Sequence, residues 1–314
     1  MIRIGVTEAA LRKTIENIAP DWHAKKKKSW SDIKAAYLAL QSELCAYCEG
    51  ARDFIRSEIT DADTAPAEND GEFAVEHFRP KGITARWPDR FSLERFAHYG
   101  IDPKVVFNGH ANGYDELRFS PWNYVVSCYT CNSTLKGNRF PIALAAGVAS
   151  GADRQHIAAL NKTERPLLLF PLGALDVDPE HAIGWNGVIP IPNPTATAAT
   201  QLRAKVTIVF FRLDGVGRPR LLEARFRQLG ALIGLITLLP EMDREAAVSA
   251  GPFRACLRAF YAEWKKSPQA AAARLGATNA EIEKIAAAVE ARRKAAASGK
   301  LRRARPKRAK KPTR

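Results

Sequence analysis

Long apolar runs are missing from this sequence. The longest, Ala231 to Leu239, stops at Pro240, far short of the roughly 20 apolar residues that a membrane-crossing helix requires. The opening MIRIGVTEAALRKTIENIAP likewise lacks the apolar stretch of an export signal, so a cytoplasmic protein with no membrane partner is expected. Cysteine is scarce, with 5 in 314 residues. Four of these form two C-x-x-C pairs, which argues against a disulfide scaffold and suits metal binding in a reducing compartment. Cys256 stands alone in PFRACLRAF and reads as a small buried hydrophobe. No segment repeats at a period of roughly 20 to 50 residues, which sets solenoids and propellers aside.

Acidic residues are absent from the last stretch. Arg292 to Arg314 holds twelve lysines and arginines and no Asp or Glu, leaving only +3 of the formal +15 on residues 1–291. With almost no apolar content, ASGKLRRARPKRAKKPTR cannot offset its ordering entropy, and a disordered basic tail that tethers nucleic acid is expected. The shorter run Lys25 to Lys28 reads as a solvated loop. The chain is otherwise 46% apolar, enough for one large core or two modest ones.

Cap and turn signals divide the chain. Thr7 is placed to cap a helix reaching about Ala19, ended by Pro20, and Ile33, Tyr37, Leu40 and Leu44 trace an apolar stripe on a second, Ser31 to Leu44. Residues 1–44 thus form a helical lead into CAYC. TDADTAPAENDG is a loop by composition, and the short strand EFAVEHF after it is stopped by Arg79-Pro80. Residues 82–119 show no clear period and read as an irregular insertion before a strand from Asn123 to Ser127. Residues 45–145 are then one core. Residues 146–291 are mixed at first, with PLLLFPLGALDVDPEHAIGWNGVIPIPNP reading as short strands and turns. Helices follow: Leu221 to Leu239, one opened by Pro252, and one with a capping box from Thr278 to Glu281 reaching about Ala297. LRAKVTIVFFRL reads equally as strand or buried helix. Residues 292–314 are the tail.

Cys45, Cys48, Cys128 and Cys131 supply a full ligand set for a closed tetrahedral Zn²⁺. The long loop between the pairs is no obstacle, because closure cost grows only logarithmically with length. A closed site is structural, so working residues are sought beside it. Glu76 and His77 end the EFAVEHF strand, Asn123 starts the next, and Asn132 follows the last cysteine.

This order, a C-x-x-C, then Glu-His with a proline three residues on, then WNYVVSCYTCN with Lys-Gly-Asn behind, resembles the HNH endonucleases over about Cys45 to Pro141. EHFRPKG, PWNYVVSC, CNSTLKGNRFP and ERPLLLFPLGALDVDPEHAI are similar to the HNH nuclease subunit of Septu-type and retron-associated anti-phage systems, which works with a separately encoded ATPase. The resemblance implies an α+β protein with a zinc-stapled ββα-metal core. It also implies DNA cleavage with His77 as general base, Glu76 and Asn132 holding a catalytic Mg²⁺ or Mn²⁺, and Asn123 bracing the loop behind His77. Two departures stand out. The stretch from His77 to Asn123 is long, and CNSTLKG has one residue more between Asn132 and Lys136 than the compact form of the motif.

The residue chemistry points the same way. Phosphodiester hydrolysis needs an activated water and cations around the phosphate. A histidine with an ordinary pKa of about 6.5 is mostly neutral at pH 7 and can take the water's proton. Glu and Asn offer hard oxygens to a divalent ion. Lys136 would lie one turn from Asn132 on a helix, and with Arg79, Lys81 and Arg139 it is a candidate phosphate contact. Neighbouring strand residues face opposite ways, so Glu76 and His77 can converge only where the strand ends or distorts. His98, His110 and His181 read as surface, and Trp87, Phe91, Phe96 and Tyr99 as packing. A non-catalytic zinc ribbon that binds nucleic acid, and an RNA-cleaving nuclease, remain open alternatives.

Overall fold

The computed structural model describes residues 1–22, 29–59, 73–108, 112–144, 154–276, 278, 287 and 291. The basic tail, the Lys25 to Lys28 run, the 60–71 loop and His110 lie outside them. Helices predominate, and the strands form three separate two-stranded sheets. In chain order these are α1 (Glu8–Ile18), α2 (Trp30–Leu40), α3 (Arg52–Ile59), β1 (Phe73–His77), α4 (Arg90–Tyr99), β2 (Phe107–Asn108), β3 (Tyr124–Cys128), a π-helix (Thr130–Lys136), β4 (Pro141–Ile142), α5 (Arg154–Glu164), α6 (Pro179–Ala182), β5 (Ile183–Asn186), β6 (Ile189–Pro192), α7 (Ala198–Phe210), α8 (Pro219–Leu238), α9 (Glu241–Ala250) and α10 (Arg254–Lys266). A continuous apolar cluster runs from Leu11 and Ile15 through Val125, Phe170 and Ile208 to Leu229 and Phe260.

The ribbon β1–β3 positions the site. It is antiparallel, pairing Phe73 with Cys128, Glu76 with Val125 and His77 with Tyr124. Helix α2 packs against both strands and buries Ile33, Ala36 and Tyr37. It stops at Leu40 rather than Leu44 because Gln41 turns its amide into the ribbon. Gln41 Nε2 donates to Leu44 O and Val126 O at 2.8 and 2.7 Å, and Oε1 accepts from Val126 N at 2.8 Å. Ser42 and Glu43 then take positive φ, which brings the first C-x-x-C alongside β3, where Ala46 N donates to Val126 O.

Thr7 caps α1 through Ala10 N at 3.2 Å, as the sequence predicts. Elsewhere the structure differs from the sequence reading for identifiable reasons. The 82–119 insertion contains α4, capped by Asp89 through Ser92 N and ended by Gly100 at φ 61°. Its aromatics Trp87 and Phe96 are buried, with Trp87 also against Phe210 of α7. The ambiguous 200–212 segment is helix α7, because its end from Val206 to Phe210 is buried on all sides, where apolar residues of strand propensity pack equally well. α9 was not foreseen, and α10 begins after Phe253 rather than at Pro252. Thr278 donates its hydroxyl back to Arg274 O at 2.8 Å, and the rest of its expected capping box, through Glu281, lies outside the described residues.

Candidate functional site

The four cysteine sulfurs of the two C-x-x-C pairs are buried and lie within 4.8 Å of one another. Tetrahedral zinc with bonds of about 2.3 Å sets its sulfurs roughly 3.8 Å apart, and Cys48 Sγ and Cys128 Sγ are 3.9 Å apart. The group therefore fits a metal such as zinc. Cys128 N donates to Cys45 Sγ at 3.3 Å and Cys131 N to Cys128 Sγ at 3.5 Å. Arg218 also reaches the cluster from the start of α8. Its Nη1 donates to Cys131 Sγ at 3.5 Å, while Nε and Nη2 hold Glu58 at 2.6 and 2.7 Å. A buried cation beside four thiolates offsets part of their charge. Hydrogen bonds from the neighbouring thiols, Cys128 first, pull Cys48 well below the ordinary thiol value.

Cys128 faces Phe73, and His77 is four residues along the same strand. At about 3.3 Å per residue that is roughly 13 Å, so a metal on the cysteines holds the ribbon without touching His77.

His77 closes the other end. Its Nε2 lies 3.0 Å from Arg118 O. A carbonyl only accepts, so Nε2 carries the proton and Nδ1 keeps its lone pair. Trp30 and Tyr124 pack edge-on at 5.0 and 4.9 Å between centroids, and the Tyr124 hydroxyl shares Arg118 O. Burial lowers the His77 pKa to about 4, with the Arg118 carbonyl opposing and Lys81, Lys136 and Arg118 adding to the fall. The ring is neutral at pH 7 and its free nitrogen is a base.

Asn123 is 1% exposed and brackets the chain leaving β1. Its Oδ1 accepts from Arg79 N and its Nδ2 donates to Arg79 O, both at 2.9 Å, and its own carbonyl accepts from Phe78 N at 2.9 Å. These bonds begin one residue after His77, and the ladder is regular up to it. Glu76 and His77 therefore leave the ribbon on opposite faces.

Glu76 faces the π-helix. Lys136 is fully buried, its Nζ 2.6 Å from Glu76 Oε1 and donating to His77 O at 2.9 Å. Burial raises the Glu76 pKa, and Lys136 opposes the rise. The π winding absorbs the additional residue between Asn132 and Lys136, with Gly137 N donating to Asn132 O at 2.6 Å across five residues. Among the described residues no hydrogen bond joins the Asn132 side chain to Glu76 or His77. The carboxylate expected to hold Mg²⁺ or Mn²⁺ thus already has a cation beside it.

Of the expected phosphate contacts, Arg79 is instead buried. Its Nε and Nη2 each donate to Glu164 Oε2 at 3.0 Å, Nη2 also donates to Asn161 Oδ1, and Phe78, Tyr114 and Phe140 surround the guanidinium. Lys136 is buried as described. Arg139 Nη1 donates to Leu135 O at 2.8 Å and so closes the end of the π-helix. Lys81 lies 3.5 Å above the Trp30 ring, close to His77. His98 and His181 are exposed.

Sequence reasoning missed Gln41, Arg118 and Arg218. Arg118 contributes its backbone carbonyl, which any residue carries, so no side-chain signal exists. Gln41 sits at a polar break in the α2 stripe, a visible cue. Comparisons with protein-family models, curated proteins and solved structures find no match. Among the described residues no helix is long and apolar enough to cross a membrane.

Proposed function

We propose that this chain is an endonuclease that hydrolyses phosphodiester bonds in nucleic acid, DNA foremost, with His77 as general base. The observation that carries this reading is the imidazole itself: a neutral ring, oriented by the Arg118 carbonyl, with Nδ1 unprotonated. Nδ1 takes the proton from the attacking water, and the Lys81 ammonium beside the ring favours an anionic substrate. Asn123 holds the loop after His77 in place. No step is assigned to a divalent ion, because Glu76 is engaged by Lys136. The resemblance over Cys45 to Pro141 supports the same chemistry. Resemblance alone suggests an anti-phage role and a partner ATPase.

The test is nicking of supercoiled plasmid by wild type and His77→Ala, with Mg²⁺ or Mn²⁺ and with EDTA, beside an RNA digest. Loss of a general base removes about 100-fold or more of the rate. Equal nicking by both proteins would remove the assignment, and RNA-only cleavage would change the substrate.

The ring's protonation gives a second expectation. NMR titration of His77 in the zinc-loaded protein should give a midpoint near 4; one near 6.5 would mean a solvated ring. Because the folded ring resists the proton that the unfolded ring accepts, this group lowers stability as pH falls from about 6.5 to about 4. Below that window its contribution is constant.

A further inference from the structure

We propose that Lys136 is an intramolecular competitor for the cation position at Glu76, so that a divalent ion gains the carboxylate only when the end of the π-helix moves. This rests on the nuclease reading, in which the resemblance makes Glu76 a divalent-ion ligand, and it concerns how that ligand is freed.

The argument begins with mutual exclusion. Mg²⁺ or Mn²⁺ binds carboxylate oxygen at about 2.0–2.1 Å and demands near-octahedral space around itself. Lys136 Nζ stands 2.6 Å from Glu76 Oε1, so both cations cannot hold that oxygen. Like charges that close repel strongly where water is scarce, and both side chains are at most 5% exposed. The ammonium is also fastened to His77 O at 2.9 Å. The pair therefore ties the π-helix to the end of β1, and it is a feature of the packed fold rather than a surface contact.

The element that carries Lys136 offers a way to release it. Lys136 is the last residue of a seven-residue π-helix, followed directly by Gly137 at φ 48° and ψ −127°. π segments are rare and are frequently found at functional sites. Rewinding the seven-residue segment from π to α geometry tightens every step of the helix, and the summed rotation at its end would swing Lys136 off Glu76 without unfolding the ribbon. The glycine beside it adopts a backbone conformation that other residues resist and is placed to absorb the change. Asn132 lies on the same short helix, so the movement that frees Glu76 also repositions the second expected oxygen ligand.

The test is Mn²⁺ titration of the zinc-loaded full chain, followed by the EPR signal of free Mn²⁺, with no substrate present. Lys136→Met should bind one Mn²⁺ at least tenfold more tightly than wild type, and adding Glu76→Gln should abolish the gain. Lys136→Gln keeps hydrogen-bond donors near His77 O without the charge, and it is read in the same way if Lys136→Met fails to fold. Binding no tighter than wild type, or a gain that survives Glu76→Gln, overturns the proposal. A chain that binds as expected and cuts no nucleic acid refutes the nuclease and leaves this competition standing.

Discussion

Cys128→Ser is expected to strip the chain of its metal, where wild type should carry one zinc per molecule. Cys128 is at once a member of the sulfur cluster and the β3 residue opposite Phe73, and its N–H donates to Cys45 Sγ. Structural zinc contributes ~10 kcal/mol or more to the folding of small domains at neutral pH. Here the surrounding core shares the load, so the loss should be several kcal/mol, concentrated in the ribbon. Metal released to a chromogenic chelator and the melting temperature measure both effects. Cys256→Ser is the control. Its thiol lies away from the cluster, donates to Gly187 O at 3.5 Å and is pushed by burial to about 12, so zinc content should not change. Full zinc in Cys128→Ser would refute the four-sulfur centre.

Arg79→Ala should destabilise the fold by about 3–5 kcal/mol, the range seen when one partner of a buried ion pair is removed. Glu164 would be left wholly buried without its cation, with the Tyr114 hydroxyl still donating to Oε1. Arg79→Lys should restore little, because a point ammonium cannot replace a planar fork held among three aromatic rings. Adding Glu164→Gln to Arg79→Ala should recover part of the loss. Urea unfolding measures all three, and a cost under about 1 kcal/mol, typical of a surface pair, would show that the pair is not closed from water.

Arg79 and Lys136 also show where the sequence stopped being informative. The four-cysteine group was legible because each C-x-x-C pair is local and its spacing is a chemical constraint. Glu76, His77 and Asn123 were legible as neighbours of that frame. A charge destined for burial looks like any surface charge until its partner is known, and those partners lie 85 and 60 residues away, at Glu164 and Glu76. α4 escaped because its aromatics face several surfaces at once, Phe96 toward Trp87, Phe91 toward Arg212 and Tyr99 toward Asp214, which blurs a helical stripe. The Thr7 cap survived because it depends on only four consecutive residues.

The pairing of β1 with β3 has a digital consequence. Along a strand, side chains alternate between two faces, so a slip of one residue exchanges the faces of Glu76 and His77, and a slip of two restores them one step out of place. The sulfur cluster grips β3 at Cys128, opposite the first residue of β1. It thus fixes which way β3 faces, and only the observed register of β1 against that fixed strand presents, roughly 13 Å away, the imidazole to Trp30 and the carboxylate to Lys136.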